Sequence, residues 1–178
     1  MFIMGDVLAV VAGIVGIGAT LWAAIVVFAV LFPARVKRAA LLAEQEWRKS
    51  LLWGAGVAFA AGGFGLILAN QPNGLLRFVG WVLLLGLLAV AVLGAAGLAD
   101  LTAKRVLRLN PGHSQLGATG RGAALLVAAG FLPILGWFAF FPVQALLALG
   151  AGARALLHRA RVAAPAAQTV KESVVSAG

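Results

Sequence analysis

The sequence predicts an all-α integral membrane protein of about four transmembrane segments, the last of them broken or re-entrant between Pro133 and Pro142. Three observations carry the prediction. Long runs with few or no charges recur along the chain, the composition is too apolar for a soluble surface, and most cations are gathered between the runs. Hydrophobic residues fill 63% of the 178 positions and charged residues only 11%, with a mean hydropathy of +1.05. A soluble domain carries about 25% charged residues. Fourteen Lys and Arg against five Asp and Glu give a net charge of +9. In a bilayer protein such an excess reads as cations retained on the cytoplasmic side and drawn to anionic headgroups, so the expected partner is the lipid bilayer and not nucleic acid.

Residues 1–161 are expected to form a single helical membrane domain, with 162–178 a flexible tail too irregular for a defined element. The first span, 7–32, has 26 residues without a charge, longer than a helix needs to cross a hydrocarbon core of about 30 Å. A cleaved secretory signal is the competing reading. It is disfavoured because Asp6 stands where a basic region belongs and the apolar run exceeds the usual length. The segment 33–49 reads as an amphipathic cytoplasmic helix, with Val36, Ala40, Ala43 and Trp47 at helical spacing and Glu44 and Arg48 as an i, i+4 pair. The second span, 50–69, ends in Asn70-Gln71-Pro72-Asn73-Gly74, where Pro72 removes a donor and Asn73-Gly74 accepts positive φ. So short a turn predicts an antiparallel hairpin with the third span, 75–99. Region 123–157 is 35 residues long, interrupted by Pro133, Gly136 and Pro142. It overshoots the core, and prolines inside a helix remove hydrogen bonds, so it is either one kinked span or a hairpin turning near Leu132 to Trp137.

Charge sets the expected orientation. Arg35, Lys37, Arg38, Arg48 and Lys49 lie in one loop and Lys104, Arg105, Arg108 and Arg121 in the other, which places loops 33–49 and 100–122 in the cytoplasm and the N-terminus outside. Four simple spans would put Arg154, Arg159 and Arg161 outside. A turn around Pro133 would return them to the cytoplasmic side, and that arrangement is favoured.

Lipid gives helices no hydrophobic reason to associate, so packing is expected where small residues let backbones approach. The candidates are Gly16 and Thr20 in the first span, Gly54, Ala58, Gly62 and Gly65 in the second, and Gly86 and Gly94 in the third. Arg35, Lys37, Arg38, Trp47, Arg48, Lys49, Arg105 and Arg108 are the residues expected to meet lipid headgroups or a docking partner. Pro133, Gly136, Trp137, Pro142 and Gln144 mark the helix break, and Gln144 is the one strongly polar side chain expected at depth.

Residues that carry chemistry are sparse. With no cysteine there is no disulfide and no thiolate metal site. His113 and His158 are too few and too far apart for a four-ligand metal site, and no Ser, His and acid trio is visible. Gly117 to Gly122 lacks the Lys-Ser or Lys-Thr ending of a phosphate loop. No catalytic residue, metal or cofactor is therefore expected.

Three motifs carry a resemblance: Phe32-Pro33-x-Arg35-Val36-x-Arg38-Ala39, then Trp47-Arg48-x-Ser50-x-Leu52-x-Gly54, and Phe131-Leu132-Pro133-x-Leu135-Gly136-Trp137. With these, the chain resembles small multispanning bacterial membrane proteins whose segments occur beside, or fused to, bactofilin-like polymer-forming domains. The resemblance implies an inner-membrane scaffold or accessory protein without catalytic residues. It agrees with the residue-level expectation of a non-enzymatic subunit packing against other membrane proteins. A small transporter or channel using the broken fourth region is the alternative, and a lipid-modifying enzyme the most remote.

Overall fold

In the computed structural model, residues 4–109, 114–131 and 136–157 are described. All regular structure among them is helical. Three helical stretches are long and apolar enough to cross a membrane: Asp6–Leu31, Trp47–Ala69 and Gly74–Arg108.

Helix α1, Met4–Leu31, stops because Phe32 precedes Pro33, which forces it out of the helical region (φ −126°, ψ 54°). Pro33 then opens α2, Pro33–Gln45, at a position where its missing N–H is harmless. Val36, Ala39, Ala40 and Ala43 form the buried stripe of α2, while Arg35, Lys37 and Glu44 stay exposed. The single amphipathic helix expected over 33–49 is instead two. Glu46 leaves the helical region (φ −132°, ψ 46°), and α3, Trp47–Val57, begins after it. The restart takes Trp47 off the stripe, and it is exposed.

A π-helical turn, Ala58–Gly62, links α3 to α4, Gly63–Ala69. The hairpin to α5, Gly74–Leu109, is made by Asn70, which donates to the Leu66 carbonyl at 3.0 Å, and by Asn73, whose side chain accepts from Leu75 N at 3.0 Å. Gly74 is therefore the first residue of a helix rather than a left-handed turn position. Gly80 brings α5 against the α4 backbone at Leu68 and Ala69. With no breaker after Ala99, α5 continues ten residues past its expected end, and Lys104 pairs with Asp100 at 3.0 Å along it.

Much of the expected loop 100–122 is thus helix on both sides. Ser114 caps α6, Gln115–Gly130, by accepting from Gly117 N at 3.2 Å. Helix α6 lies against α1 and α5, and Trp22 Nε1 donates to the Gly120 carbonyl at 2.9 Å. The next described residue after Phe131, Gly136, lies against the end of α6. A Cβ on Gly136 would stand 2.8 Å from the carbonyl oxygens of both Ala129 and Gly130. A second π-helical turn, Gly136–Phe140, leads into α7, Phe141–Leu157. Pro142 follows directly on that π-helical turn, inside a helical stretch that runs from Gly136 to Leu157, and the widened turn lies where a missing N–H would otherwise interrupt the α-helical ladder. Pro133 lies outside the described residues.

Helix α7 is the keystone. It packs against α3 and α5 more extensively than any other helix pair in the bundle, whereas α3 itself barely touches α5. Four glycines make the approach possible. A side chain on Gly54 would collide with the Leu146 carbonyl, on Gly150 with the Ser50 carbonyl, on Gly94 with the Ala148 carbonyl, and on Gly152 with the Val90 carbonyl. Ala148 to Ala155 of α7 are all buried. The core is correspondingly built of small residues: Ala39, Ala43, Ala151 and Ala155 with Leu93 in one cluster, and Ala96, Ala99 and Ala123 with Ile25 and Val36 in another. Phe59 and Phe138 point outward, 88% and 84% exposed. Small residues inside and large apolar ones outside suit a surface solvated by acyl chains.

Gly54→Ala and Gly150→Ala should each destabilise the bundle by about 1–3 kcal/mol, since the backbone contacts have no room to give. Gly16→Ala and Gly86→Ala, whose Cβ would meet nothing within 4 Å, should be neutral or stabilising by up to about 1 kcal/mol. Thermal unfolding in detergent compares the four variants.

Candidate functional site

The joint between α2 and α3 assembles a polar cluster from three elements. Glu46 stands at the joint, Lys49 and Ser50 follow in the first turn of α3, and Arg154 arrives from the last turn of α7. Arg154 is only 7% exposed. A buried guanidinium is tolerated only when its charge and donors are matched. Its Nη2 donates to Glu46 Oε2, forming an ion pair, and its Nη1 donates to Ser50 Oγ at 3.1 Å. Ser50 passes its own proton donor to the Leu42 carbonyl, 3.3 Å away. Lys49 Nζ donates to the other Glu46 oxygen at 3.2 Å. Arg38 adds a long contact, 3.5 Å, from Nη1 to the Ala155 carbonyl at the end of α7. The Arg154 guanidinium and then Lys49 hold the Glu46 carboxyl below the usual carboxylate range.

An open groove of about 530 Å³ lies beside this cluster. Ala43, Leu98, Leu101, Leu126, Phe140, Val143 and Leu147 give it apolar walls, and Glu44, Trp47, Thr102, Arg105 and Gln144 complete the lining. Its walls come from α2, the start of α3, α5, α6, the second π-helical turn and α7. A smaller cavity of about 250 Å³ is lined by Val36, Lys37, Asp100 and Thr119 among others, with Asp100 only 6% exposed.

The sequence-predicted residues divide between these places and the outer surface. Gly54 and Gly94 are at the α7 contact. Gly65 meets the Leu84 side chain, and Gly62 is in ordinary contact with Leu87. Ala58 is half-buried in the first π-helical turn. Gly16 and Gly86 face open space, and Thr20 donates to the Gly16 carbonyl of its own helix at 2.8 Å. Among the basic residues, Arg35 lies over the Phe32 ring at 5.4 Å and Arg48 over Trp47 at 5.3 Å. Arg48 stacks in this way, and Glu44 and Arg48 do not form the expected pair. Lys37 lines the small cavity, Arg105 the groove, and Arg108 is exposed. Gln144 is half-buried in the groove, Trp137 falls in the second π-helical turn, and His113 and His158 lie outside the described residues. Among the described residues no three or more His, Asp or Glu side chains gather as metal ligands.

No protein-family model, curated protein or solved structure matches this chain. The polar cluster itself is what sequence reading missed. Arg154 was visible as the one charge in 123–157, and an isolated cation in an apolar run calls for a carboxylate. The spacing of 108 residues to Glu46 gives no local cue to which one.

A carboxyl whose pKa is lowered by folding stabilises the fold above the unfolded value of about 4.3 and loses that contribution as pH falls through the lowered one. Glu46→Gln should therefore lower the unfolding temperature at pH 7. The difference from the parent chain should shrink below about pH 4, as Glu46 itself becomes protonated. Melting curves between pH 7 and pH 3 measure this directly.

Proposed function

We propose that this chain is a non-enzymatic scaffold or accessory subunit of the bacterial inner membrane. The observation that carries the reading is the use made of its charges. The buried cation holds α7 to the α2–α3 joint, and exposed Arg35, Lys37, Arg48, Lys49, Lys104, Arg105 and Arg108 lie on α2, the start of α3 and the end of α5. Those residues suit anionic headgroups and a cytoplasmic protein partner. The outward apolar side chains supply surface for lipid and for other membrane subunits.

In this reading α1, the α3–α4 stretch and α5 span the membrane. Helices α6 and α7 together form the fourth, re-entrant segment. The N-terminus is outside, and 33–49 and 100–122 are cytoplasmic. The pairing of Arg154 with Glu46 supports this arrangement, because it puts the end of α7 on the side where α2 and α3 meet. Backbone that reverses within the membrane is tolerated where protein covers it, and α1 and α5 pack along α6. The resemblance to membrane segments that accompany bactofilin-like domains makes a cytoplasmic polymer-forming protein the first partner to look for. A transporter path through the broken region is less well supported, since Gln144 lines a groove shared with exposed Phe140 and Val143.

Because the chain has no cysteine, single cysteines report topology cleanly. Asn73→Cys should react with an impermeant thiol reagent from outside, and His113→Cys only after the membrane is opened; the reverse pattern would overturn the orientation. Mild-detergent purification of the tagged chain should bring stoichiometric partners with it. Recovery of the chain alone would count against a scaffold.

A further inference from the structure

We infer that the groove at the α2–α3 joint binds a zwitterionic phospholipid with a primary amine, an aminophospholipid, with its acyl chain along the leucine walls. The inference rests on the membrane reading above. A groove of about 530 Å³ opening on a bilayer is filled by whatever amphiphile fits its polarity. Here the polarity has two signs. Glu44 and Arg105 both line the groove, are both exposed, and neither makes a hydrogen bond or ion pair with another described residue. Opposite charges that share a groove without meeting match a headgroup carrying one anion and one cation.

The chemistry assigns the ends. The planar guanidinium of Arg105 suits a phosphate, which it can hold through two parallel donors. Glu44 is an acceptor only, so it needs a donor, and a primary ammonium offers three. Thr102 has spent its proton on the Leu98 carbonyl at 3.0 Å, so its oxygen is left to accept from the same amine. A purely anionic headgroup would satisfy Arg105 and be repelled by Glu44. A quaternary amine has no N–H to give Glu44, and the aromatic face it would seek is taken, because Arg48 already covers Trp47 at 5.3 Å. Leu98, Leu101 and Leu147 line the same groove and give the chain its apolar bed.

The test uses the full chain in nanodiscs of equal parts phosphatidylethanolamine, phosphatidylcholine and phosphatidylglycerol, each in turn carrying a photoactivatable acyl chain. Cross-links are mapped by mass spectrometry. Phosphatidylethanolamine should label Leu98 to Thr102 and Val143 to Leu147 roughly two- to fivefold more than either other lipid, the range expected for one partly exposed charge pair. Exposed Leu8 and Val15 of α1 should not distinguish the three. Glu44→Gln should lower the phosphatidylethanolamine signal to the phosphatidylcholine level. Leu147→Trp, which fills the groove, should remove groove labelling while α1 labelling persists. Equal labelling of the groove by all three lipids, a preference for phosphatidylglycerol, or a silent Glu44→Gln would overturn the proposal with the membrane reading intact. Absence of label anywhere on the chain would overturn both.

Discussion

Backbone contact between α7 and its two neighbours, α3 and α5, is the constraint on which the rest of this bundle depends. Apolar side chains gain nothing by leaving lipid for protein, so helices in a membrane are held by close van der Waals contact and by polar groups that find partners. Gly54, Gly94, Gly150 and Gly152 place carbonyls and glycine backbone directly together on both sides of α7. The other features follow. The turn Ala58–Gly62 separates α3 from α5 while α4 stays paired with α5, and α7 occupies the opening. Seated there, α7 carries Arg154 to the α2–α3 joint, and its first turns form one wall of the groove.

Close packing by glycines alone fixes distance better than it fixes register, because a smooth backbone surface can slide. The Arg154 cluster supplies the directional part. Desolvating a guanidinium is costly, and the attraction of one carboxylate does not by itself offset the loss. The Ser50 oxygen, itself held by its bond to the Leu42 carbonyl, supplies a second partner at the position α7 occupies. Arg154 also lies in the last turn of its helix, where the helix dipole favours a cation. The stabilisation gained is modest. Its larger consequence is that a shift of α7 by one turn would strand a buried charge.

The helical class and the three long apolar stretches were legible because length without charge is read directly from the chain. Boundaries drifted wherever no breaker stood. Helix α5 runs on to Leu109 until it meets Asn110-Pro111, and α3 starts at Trp47 rather than Ser50 because Glu46 alone leaves the helical region. Pro142 shows the limit of composition. A proline inside an apolar run signals a disturbed helix, and only the fold shows that the disturbance is a π-helical turn just before it. The candidate site was less legible still. Gly54 and Gly16 have the same chemistry and the same four-residue spacing to small neighbours. One meets a carbonyl and the other meets nothing, because spacing defines a face without naming what covers it. Glu46 and Arg154, far apart in sequence, meet only once α7 is docked.

The most direct test of this account is a charge-exchange cycle across that contact. Glu46→Arg, Arg154→Glu and the double exchange would be compared by thermal unfolding in the same detergent. Each single exchange should destabilise strongly, by placing like charges together at the buried end of α7, and the double exchange should recover a substantial part of the loss. If the two single effects simply add in the double variant, Glu46 and Arg154 do not meet, and the docking of α7 described here is wrong.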